Sequence, residues 1–404
     1  MAVKIYTHPD PSRTLVPLLQ RHLPHSGPLL RVIQSFGSFP RSAEACVLAT
    51  FPPDTEASIY GSNPRPGPES PWMAAYVDIF RHPETQMWMY SSLEATGLTT
   101  TAGNEIKTTL RADEEMLKVT RAQLRSLLTY VRTELVSSFI SSVAAREKNG
   151  IIKTNGVEKL PATPSTGLLM GSVHDGLFEL FNGLGPRDDD PTGQKDLIHI
   201  NRVYPCMKYM FDRSSYELEN KPPIGYRFHD RNGRGGIQDH QLQFVLSRTA
   251  IQRTKASFAG SAALYRDGHE GAGAETPNNP SPEGEKVNNA EEMPIGWAFL
   301  AYDGSIILLH VEPEDRGRGL APLLLKEIMR RGMGCDALHA LQPEDDIDGK
   351  EKGWMFADVS TDNVPSQRVM VKAGGKTGWA MRWVAGEVCS GECSTCAGLV
   401  GEQN

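Results

Sequence analysis

The sequence has no long apolar run and no excess of positive charge. No stretch approaches the roughly 18 consecutive apolar residues typical of a membrane-spanning helix, and the first residues, MAVKIYTHPDPSR, contain no apolar signal core. Lysine and arginine number 42 against 49 aspartate and glutamate residues, a net charge of −7. General binding to nucleic acid requires basic side chains that neutralise phosphates, so we expect no nucleic-acid partner. We also expect no membrane partner, and a cytosolic or nuclear location.

Cysteine is scarce, at six residues in 404. Three are scattered, and the other three, Cys389, Cys393 and Cys396, form a Cys-x3-Cys-x2-Cys group near the end. A structural zinc site normally has four ligands, and no fourth ligand lies near this group in the sequence. Residues 386–404 are therefore predicted to be a cysteine-containing tail, and no metal cofactor is expected.

The composition, 39% hydrophobic and 23% charged, is typical of a globular protein, here of roughly two or three domains. Residues 1–170 predict a smaller α/β domain, with a strongly amphipathic helix from Glu114 to Arg146. Residues 171–221, rich in turn residues, predict a connecting region. A second α/β domain is predicted for 222–385. Within it, 266–293 has no aromatic residue and is mostly Gly, Pro, Asn and Glu, which predicts a disordered insertion.

The second domain contains a predicted β-hairpin followed by a glycine-rich turn and a helix. IGWAFLAY and SIILLHV flank Asp303-Gly304, a favoured two-residue turn. RGRGLA then lies at Arg316–Ala321, where the strand pattern gives way to a helical one. Glycines let an anion approach the N–H groups of a helix N-terminus, so this is either a phosphate-binding turn or a plain turn that closes a βα unit. GxxxxGK[ST] and GxGxxG are absent, which disfavours ATP and dinucleotide loops. Upstream, Asp239–Tyr265 predicts one or two helices.

The turn and the segment after it resemble motifs of one superfamily. R-x-x-G-x-A between a hairpin and a helix resembles the acyl-CoA motif of the GNAT superfamily of N-acyltransferases, and Asp358–Gly375 resembles the strand and helix that follow it. Pro294–Leu320 is more closely similar to the glycine N-acyltransferase-like branch, whose members carry a degenerate acyltransferase-like domain before the catalytic one. The resemblance implies a mixed, mostly antiparallel sheet flanked by helices in 222–385, and a degenerate domain in 1–170.

The resemblance also implies a binding site for CoA. Backbone groups of Leu309–Val311 would pair with the pantetheine arm, and N–H groups of Gly317–Ala321 would hold the pyrophosphate. Asn363 would reach CoA from the next strand, although capping the following helix is an equally good role for it. The implied cofactor-binding residues are Leu309, His310, Val311, Arg316, Gly317, Arg318, Gly319, Leu320, Ala321, Asn363 and Ser366.

The implied catalytic groups depart from the family pattern. Many relatives carry Glu or His where this sequence has Ser305, so the general base must lie elsewhere. The candidates are Asp358, which is otherwise a structural or capping acid, and Asp303, which is otherwise simply the turn residue. The tyrosine that often serves as the acid is replaced by Met370. A thiol has a pKa of about 8.5, so CoA thiolate is a tolerable leaving group without that acid.

The sequence therefore predicts an acyltransferase. Acetyl-CoA or another acyl-CoA would be the co-substrate, and a primary amine would attack it directly. The branch resemblance implies a small-molecule acceptor such as glycine or another small amino acid. Two alternatives stay open: an N-acetyltransferase for protein or polyamine amines, and a CoA-binding scaffold without turnover, which Ser305 and Met370 suggest.

Overall fold

A computed structural model of the chain describes residues 3–53, 70–81, 84–102, 105–139, 141, 167–181, 197–216, 220–249, 253–267, 292–333, 338–339 and 352–388. Nearly all of the predicted insertion at 266–293 and of the predicted tail at 386–404 lies outside the described residues. None of the described helices combines the length and the apolar character needed to cross a bilayer.

The first half, residues 3–216, alternates strands and helices. Its strands are β1 (Tyr6–Thr7), β2 (Cys46–Ala49), β3 (Met73–Val77), β4 (Met87–Ser91), the hairpin of β5 (Leu98–Ala102) and β6 (Glu105–Thr109), β7 (Gly167–His174) and β8 (Ile198–Phe211). Its helices are α1 (Pro11–Thr14), α2 (Val16–Gln20), α3 (Gly27–Gln34), α4 (Glu114–Tyr130) and α5 (Asp175–Phe181). The helix predicted from Glu114 is confirmed as α4, which buries Leu124, Leu127 and Leu128 and continues into a π-helical turn, Val131–Val136.

The second half, residues 220–388, contains the predicted hairpin and the elements after it. The elements are β9 (Tyr226–Arg227), α6 (Asp239–Ser247), β10 (Phe258–Arg266), β11 (Gly296–Ala301), β12 (Ile306–Val311), α7 (Leu320–Gly332), β13 (Met355–Ser360), α8 (Val364–Lys372) and β14 (Lys376–Val388). The helix prediction for Asp239–Tyr265 is wrong beyond Ser247. β10 is a strand between β9 and β11, and its small residue Ala262 is fully buried in the core formed with α7.

The strands form one large and one small sheet. The large sheet has the order β1-β2-β3-β4-β7-β14-β8-β13, the small one β12-β11-β10-β9. Apart from the pairing of β4 with β7, every strand pair in the two sheets is antiparallel. The predicted mixed, mostly antiparallel α/β fold is confirmed. β14 lies between β7 and β8, so a strand of the second half lies between two strands of the first.

In each half, two neighbouring parallel strands are separated along the sequence by a helix. The halves differ in how these two strands pair with each other. In the first half, β4 pairs with β7 through Met87 with Met170 and Trp88 with Gly171. In the second half, β12 and β13 are joined by one isolated bridge between Ser305 and Phe356, and they share no other pair. We call the β4–β7 contact the closed seam and the β12–β13 gap the open seam.

The two faces of β13 pack against different cores. Met355, Ala357 and Val359 belong to the core that includes α7. Phe356 is buried in a separate core with aromatic residues and with side chains of α3. Because successive side chains of a strand point to opposite faces, Asp358 shares the face of Phe356. It therefore lies on the side of the open seam away from α7.

Candidate active site

The turn before α7 leaves the helix N-terminus open. Gly319 caps the helix with φ of +76° and Gly317 has φ of +78°, a left-handed conformation that glycine adopts without strain. Among the described residues no side chain caps the first N–H groups of α7, and its first turn contains no acidic residue. A Cβ atom built on either glycine would meet no atom of the described residues within 4 Å. The first N–H groups of α7 are therefore accessible to an anion.

A buried carboxylate holds this turn in place. Asp315, only 1% exposed, accepts two hydrogen bonds of 2.7 Å from one guanidinium nitrogen of Arg266 and one of 3.0 Å from the Tyr226 hydroxyl. On the other side of the turn, Arg316 Nε donates to the carbonyl of Val311 at 2.8 Å. The Arg316 side chain therefore stabilises the turn as well as adding charge to it.

A bulge interrupts β12 beside the open seam. Trp297 pairs with His310 and Phe299 pairs with Ile307, so two residues of β12 face one residue of β11. Leu308, inside the bulge, has φ of +52°, which is strained for a residue with a side chain. The His310 ring stacks on Trp297 with centroids 4.5 Å apart. Any contact of His310 with CoA would therefore involve its backbone atoms.

Asp358 forms a buried ion pair. Lys208 Nζ on β8 lies 2.5 Å from Asp358 Oδ1, and the two side chains are 0% and 5% exposed. Burial raises the pKa of the Asp358 carboxyl; Lys208 opposes this rise, Asp303 adds to it, and the nearby Trp383 indole opposes it weakly. By distance and angle, Oδ2 has no hydrogen-bond partner in the described part of the chain. A carboxylate oxygen in this state can accept a proton.

Both carboxylate oxygens of Asp303, the other candidate base, accept hydrogen bonds. Asp303 is 1% exposed, and its two oxygens accept hydrogen bonds from the Ser305 N–H at 3.0 Å and from Trp88 Nε1 at 3.1 Å. This geometry agrees with the alternative role of a turn residue. Ser305 is also buried, and its hydroxyl has no hydrogen-bond partner among the described residues.

The residues of α8 adopt structural roles. The side chain of Asn363 accepts a hydrogen bond of 3.1 Å from the Ser366 N–H, so Asn363 takes the capping role that was one of its two predicted roles. Met370 is 4% exposed and lies in the core with α7. A methionine has no proton to donate, so the family's usual acid has no replacement at this position.

Comparison with known proteins identifies a family for this chain through its first half. The family described as acyl-CoA N-acyltransferase verG N-terminal domain matches residues 2–209, about half of the chain. The chain belongs to this family. Membership confirms the resemblance to GNAT-superfamily N-acyltransferases and the prediction of an acyltransferase. A search of curated proteins found no match to the chain.

Solved structures similar to this acyltransferase span nearly its whole length. A Drosophila protein is 12% identical with a TM-score of 0.46, and the match covers 95% of this chain and 98% of that one. A tandem GNAT protein from the clavulanic acid biosynthesis pathway is 12% identical with a TM-score of 0.32, with 96% and 99% covered. A GNAT-family acetyltransferase from Colwellia psychrerythraea is 10% identical with a TM-score of 0.32, with 96% and 100% covered.

Metal ligands are not clustered in the described ranges. Nowhere in them do three or more His, Cys, Asp or Glu side chains come together as they would around a metal ion. What the described residues do bring together is a strand edge, a bulge, an open helix N-terminus and a buried carboxylate.

Proposed function

We propose that the chain binds acyl-CoA in the open seam and transfers its acyl group to a primary amine by direct attack. The observation that carries this proposal is the order of features along the seam. The outer edge of β12 can pair with the amides of a pantetheine arm, as a peptide adds to an open sheet edge. The N-terminus of α7 follows at once and suits a pyrophosphate.

The cofactor-binding roles follow from this order. Backbone groups of Leu309–Val311 pair with the pantetheine arm. N–H groups of Gly317–Ala321 bind the pyrophosphate, and the exposed Arg318 adds positive charge beside it. Ser366 borders the same end of the seam from the start of α8, where Asn363 caps the helix. The strained bulge at Leu308 aims backbone N–H groups toward the thioester carbonyl, where negative charge develops during attack.

Asp358 is the proposed general base. The amine nitrogen forms a bond to the thioester carbon, the carbon–sulfur bond breaks, and the electron pair leaves on the CoA sulfur. Oδ2 of Asp358 takes the proton that the amine loses, while Oδ1 stays paired with Lys208. The thiolate then takes a proton from solvent, since Met370 cannot supply one.

A small acceptor is favoured over a protein side chain. A pocket lies on the same face of the sheet as Asp358, and side chains from both halves line it. A concave site lined by aromatic and charged side chains suits a small molecule better than a protein surface. We propose a small amine such as glycine or another amino acid as the acceptor.

The test is the release of CoA thiol in the presence of a panel of amines. Asp358→Asn keeps the shape of the side chain and removes the proton acceptor. We expect kcat to fall by roughly 10²–10⁴, the usual contribution of a general base, while acetyl-CoA affinity is retained. In the wild type, the rate should fall as pH drops through the raised pKa of Asp358, and the variant should lose this acidic limb.

Two controls separate catalysis from structure. Asp358→Asn leaves the Lys208 ammonium buried without its partner, so the double variant Asp358→Asn/Lys208→Met should be equally slow and more stable than the single one. Lys208→Met alone keeps the base but raises its pKa, so the acidic limb should move to higher pH. Asp303→Asn should change kcat much less. A folded Asp358→Asn variant with full activity contradicts the assignment, and a wild type that binds acetyl-CoA without turnover supports the scaffold instead.

A further inference from the structure

The pocket beside Asp358 is built by both halves of the chain. Phe39 and Trp88 form its wall from the first half, and Tyr302 and Trp383 form its wall from the second. None of these aromatic residues belongs to the core that includes α7, so the pocket lies on the opposite face of the sheet from the pyrophosphate turn. That is the face from which an acceptor can reach the open seam.

Two acidic side chains in this pocket are already satisfied. Glu84 accepts hydrogen bonds from the N–H of Thr254 at 2.9 Å and from its hydroxyl at 2.7 Å, and also from the Ser257 hydroxyl. Asp303 accepts its two hydrogen bonds from Ser305 and Trp88. Neither carboxylate needs a further donor from a ligand.

The two arginines of the pocket differ in whether their N–H donors already have acceptors. Arg81 donates to the carbonyls of Thr85 at 3.3 Å and Ala256 at 3.2 Å. Arg253 is half-buried and lies over the ring of Trp383, 5.4 Å from its centroid, but in the described part of the chain it makes no hydrogen bond or ion pair. Burial lowers the pKa of Arg253, while Glu84 and Asp303 partly restore it from a distance. Arg253 thus carries donors that nothing in the described pocket uses.

Arg253 is also close to the proposed base. The indole of Trp383 lies beneath its guanidinium and also beside the carboxyl of Asp358. Trp383 therefore links the pocket to Asp358, and an acceptor bound to Arg253 lies on the Asp358 side of the sheet. Aromatic rings form part of the pocket wall, and an ion pair beside such weakly polar groups is stronger than one in water.

We propose that Arg253 is the specificity-determining residue of the acceptor site and binds an anionic group on the amine substrate, in the simplest case a carboxylate. This inference rests on the proposed function and narrows its substrate class to amines that carry a negative charge. The planar guanidinium matches a carboxylate through two parallel hydrogen bonds. It also gives the first half a role, because its aromatic side chains close the pocket in which this pairing occurs.

The test compares glycine with glycinamide and phenylalanine with phenylalaninamide, which share an amine but differ in charge. The amide group lowers the pKa of the amine, so an amide has more free amine at neutral pH, and a preference for the acid must come from binding. We expect the wild type to prefer the acids. Arg253→Gln should lower kcat/KM for glycine at least ~tenfold, mainly through KM, and leave glycinamide within about twofold. Arg253→Lys should retain part of the preference.

The outcomes are distinguishable. A wild type that acylates acids and amides equally, or a variant that loses both equally while it still binds acetyl-CoA, overturns the role of Arg253. If the wild type acylates no amine, the proposed function fails, and Arg253 is then tested by calorimetric titration of glycine into the complex with acetyl-CoA. Glycine binding that disappears in Arg253→Gln supports the anion site, and a wild type that binds no glycine overturns it.

Discussion

The two halves of the chain share an order of strands and helices, yet one closes its parallel seam and the other leaves it open. In the closed seam, Met87 and Trp88 pair directly with β7. In the open seam, one bridge at Ser305 joins β12 to β13. A molecule that inserts between two strands needs their edges unpaired. The difference therefore assigns the proposed acyl-CoA site to the second half.

The segments that follow the two seams differ in charge as well. After β4 the chain turns through a buried acidic side chain, Glu94, which accepts a hydrogen bond from the Ser91 N–H; burial raises its pKa well above the usual value and so favours its neutral form. The next helix, α4, is capped by Asp113, with further acids in its first turn. After β12 the corresponding helix, α7, starts from Gly319 beside two arginines. A few residues at two helix starts thus decide whether the same architecture accepts or excludes an anion.

The largest expected effect concerns the closed seam. Met170 is fully buried where β7 pairs with β4, and Met170→Ala should lower the free energy of unfolding by about 2–5 kcal/mol through lost burial and a cavity. Chemical denaturation measures this change. Acetyl-CoA affinity, measured where both proteins are folded, should stay the same. A tenfold loss of affinity would mean that the closed seam supports the site after all.

The next effect concerns the open helix N-terminus. Gly319→Asp places a negative charge at the proposed pyrophosphate site and should weaken acetyl-CoA binding at least ~tenfold, about 1.4 kcal/mol, in calorimetry. Gly319→Asn is the matched control, because asparagine has the same shape and both residues tolerate the left-handed conformation. Equal affinities of the two variants would contradict the phosphate-binding role of the turn.

A smaller effect is expected at the start of α4. The Asp113 side chain accepts a hydrogen bond of 2.8 Å from the Met116 N–H. Asp113→Ala removes this cap and should cost about 1 kcal/mol of stability, visible as a lower Tm. Turnover measured below the melting transition should not change. A loss of turnover in the folded variant would show that α4 contributes to the site.

The smallest effect is expected for Asp113→Asn, which should change neither stability nor acetyl-CoA affinity. Asparagine is an equally good cap, so stability is kept while the negative charge at α4 is removed. Calorimetry should find one acetyl-CoA bound per chain in the wild type and in this variant, with equal affinity. A second binding event in either protein would show that the first half is also a CoA site.

The sequence predicts local features better than contacts between distant segments. The hairpin at Asp303-Gly304, the turn at Arg316–Ala321 and helix α7 each depend on a few consecutive residues, and the structure contains all three, although the hairpin loop has three residues, 302–304, instead of the predicted two. The sequence predicts helix through Tyr265, and so over most of strand Phe258–Arg266, because the alanines and glycine there carry no clear strand pattern. Its pairing with β9 and β11 decides its conformation, and that pairing depends on residues far along the chain.

The partners of Asp358, the candidate base, could not be predicted from the sequence. Lys208 lies 150 positions before Asp358, so no spacing rule connects the two. The one signal in the sequence is a single lysine in the otherwise largely apolar segment YPCMKYMF. A lysine in such a strand requires a counter-ion once it is buried. Arg253 and Trp383 are likewise brought together only by the fold.

The position of β14 between β7 and β8 also constrains how the chain folds during synthesis. β7 cannot acquire its antiparallel neighbour until residues 376–388 have left the ribosome, although β7 itself emerges about 200 residues earlier. Until then an apolar strand edge stays exposed, and such edges promote aggregation during synthesis. We therefore expect the first half to depend on chaperones while translation continues, and a nascent chain stalled before β14 to remain sensitive to protease throughout.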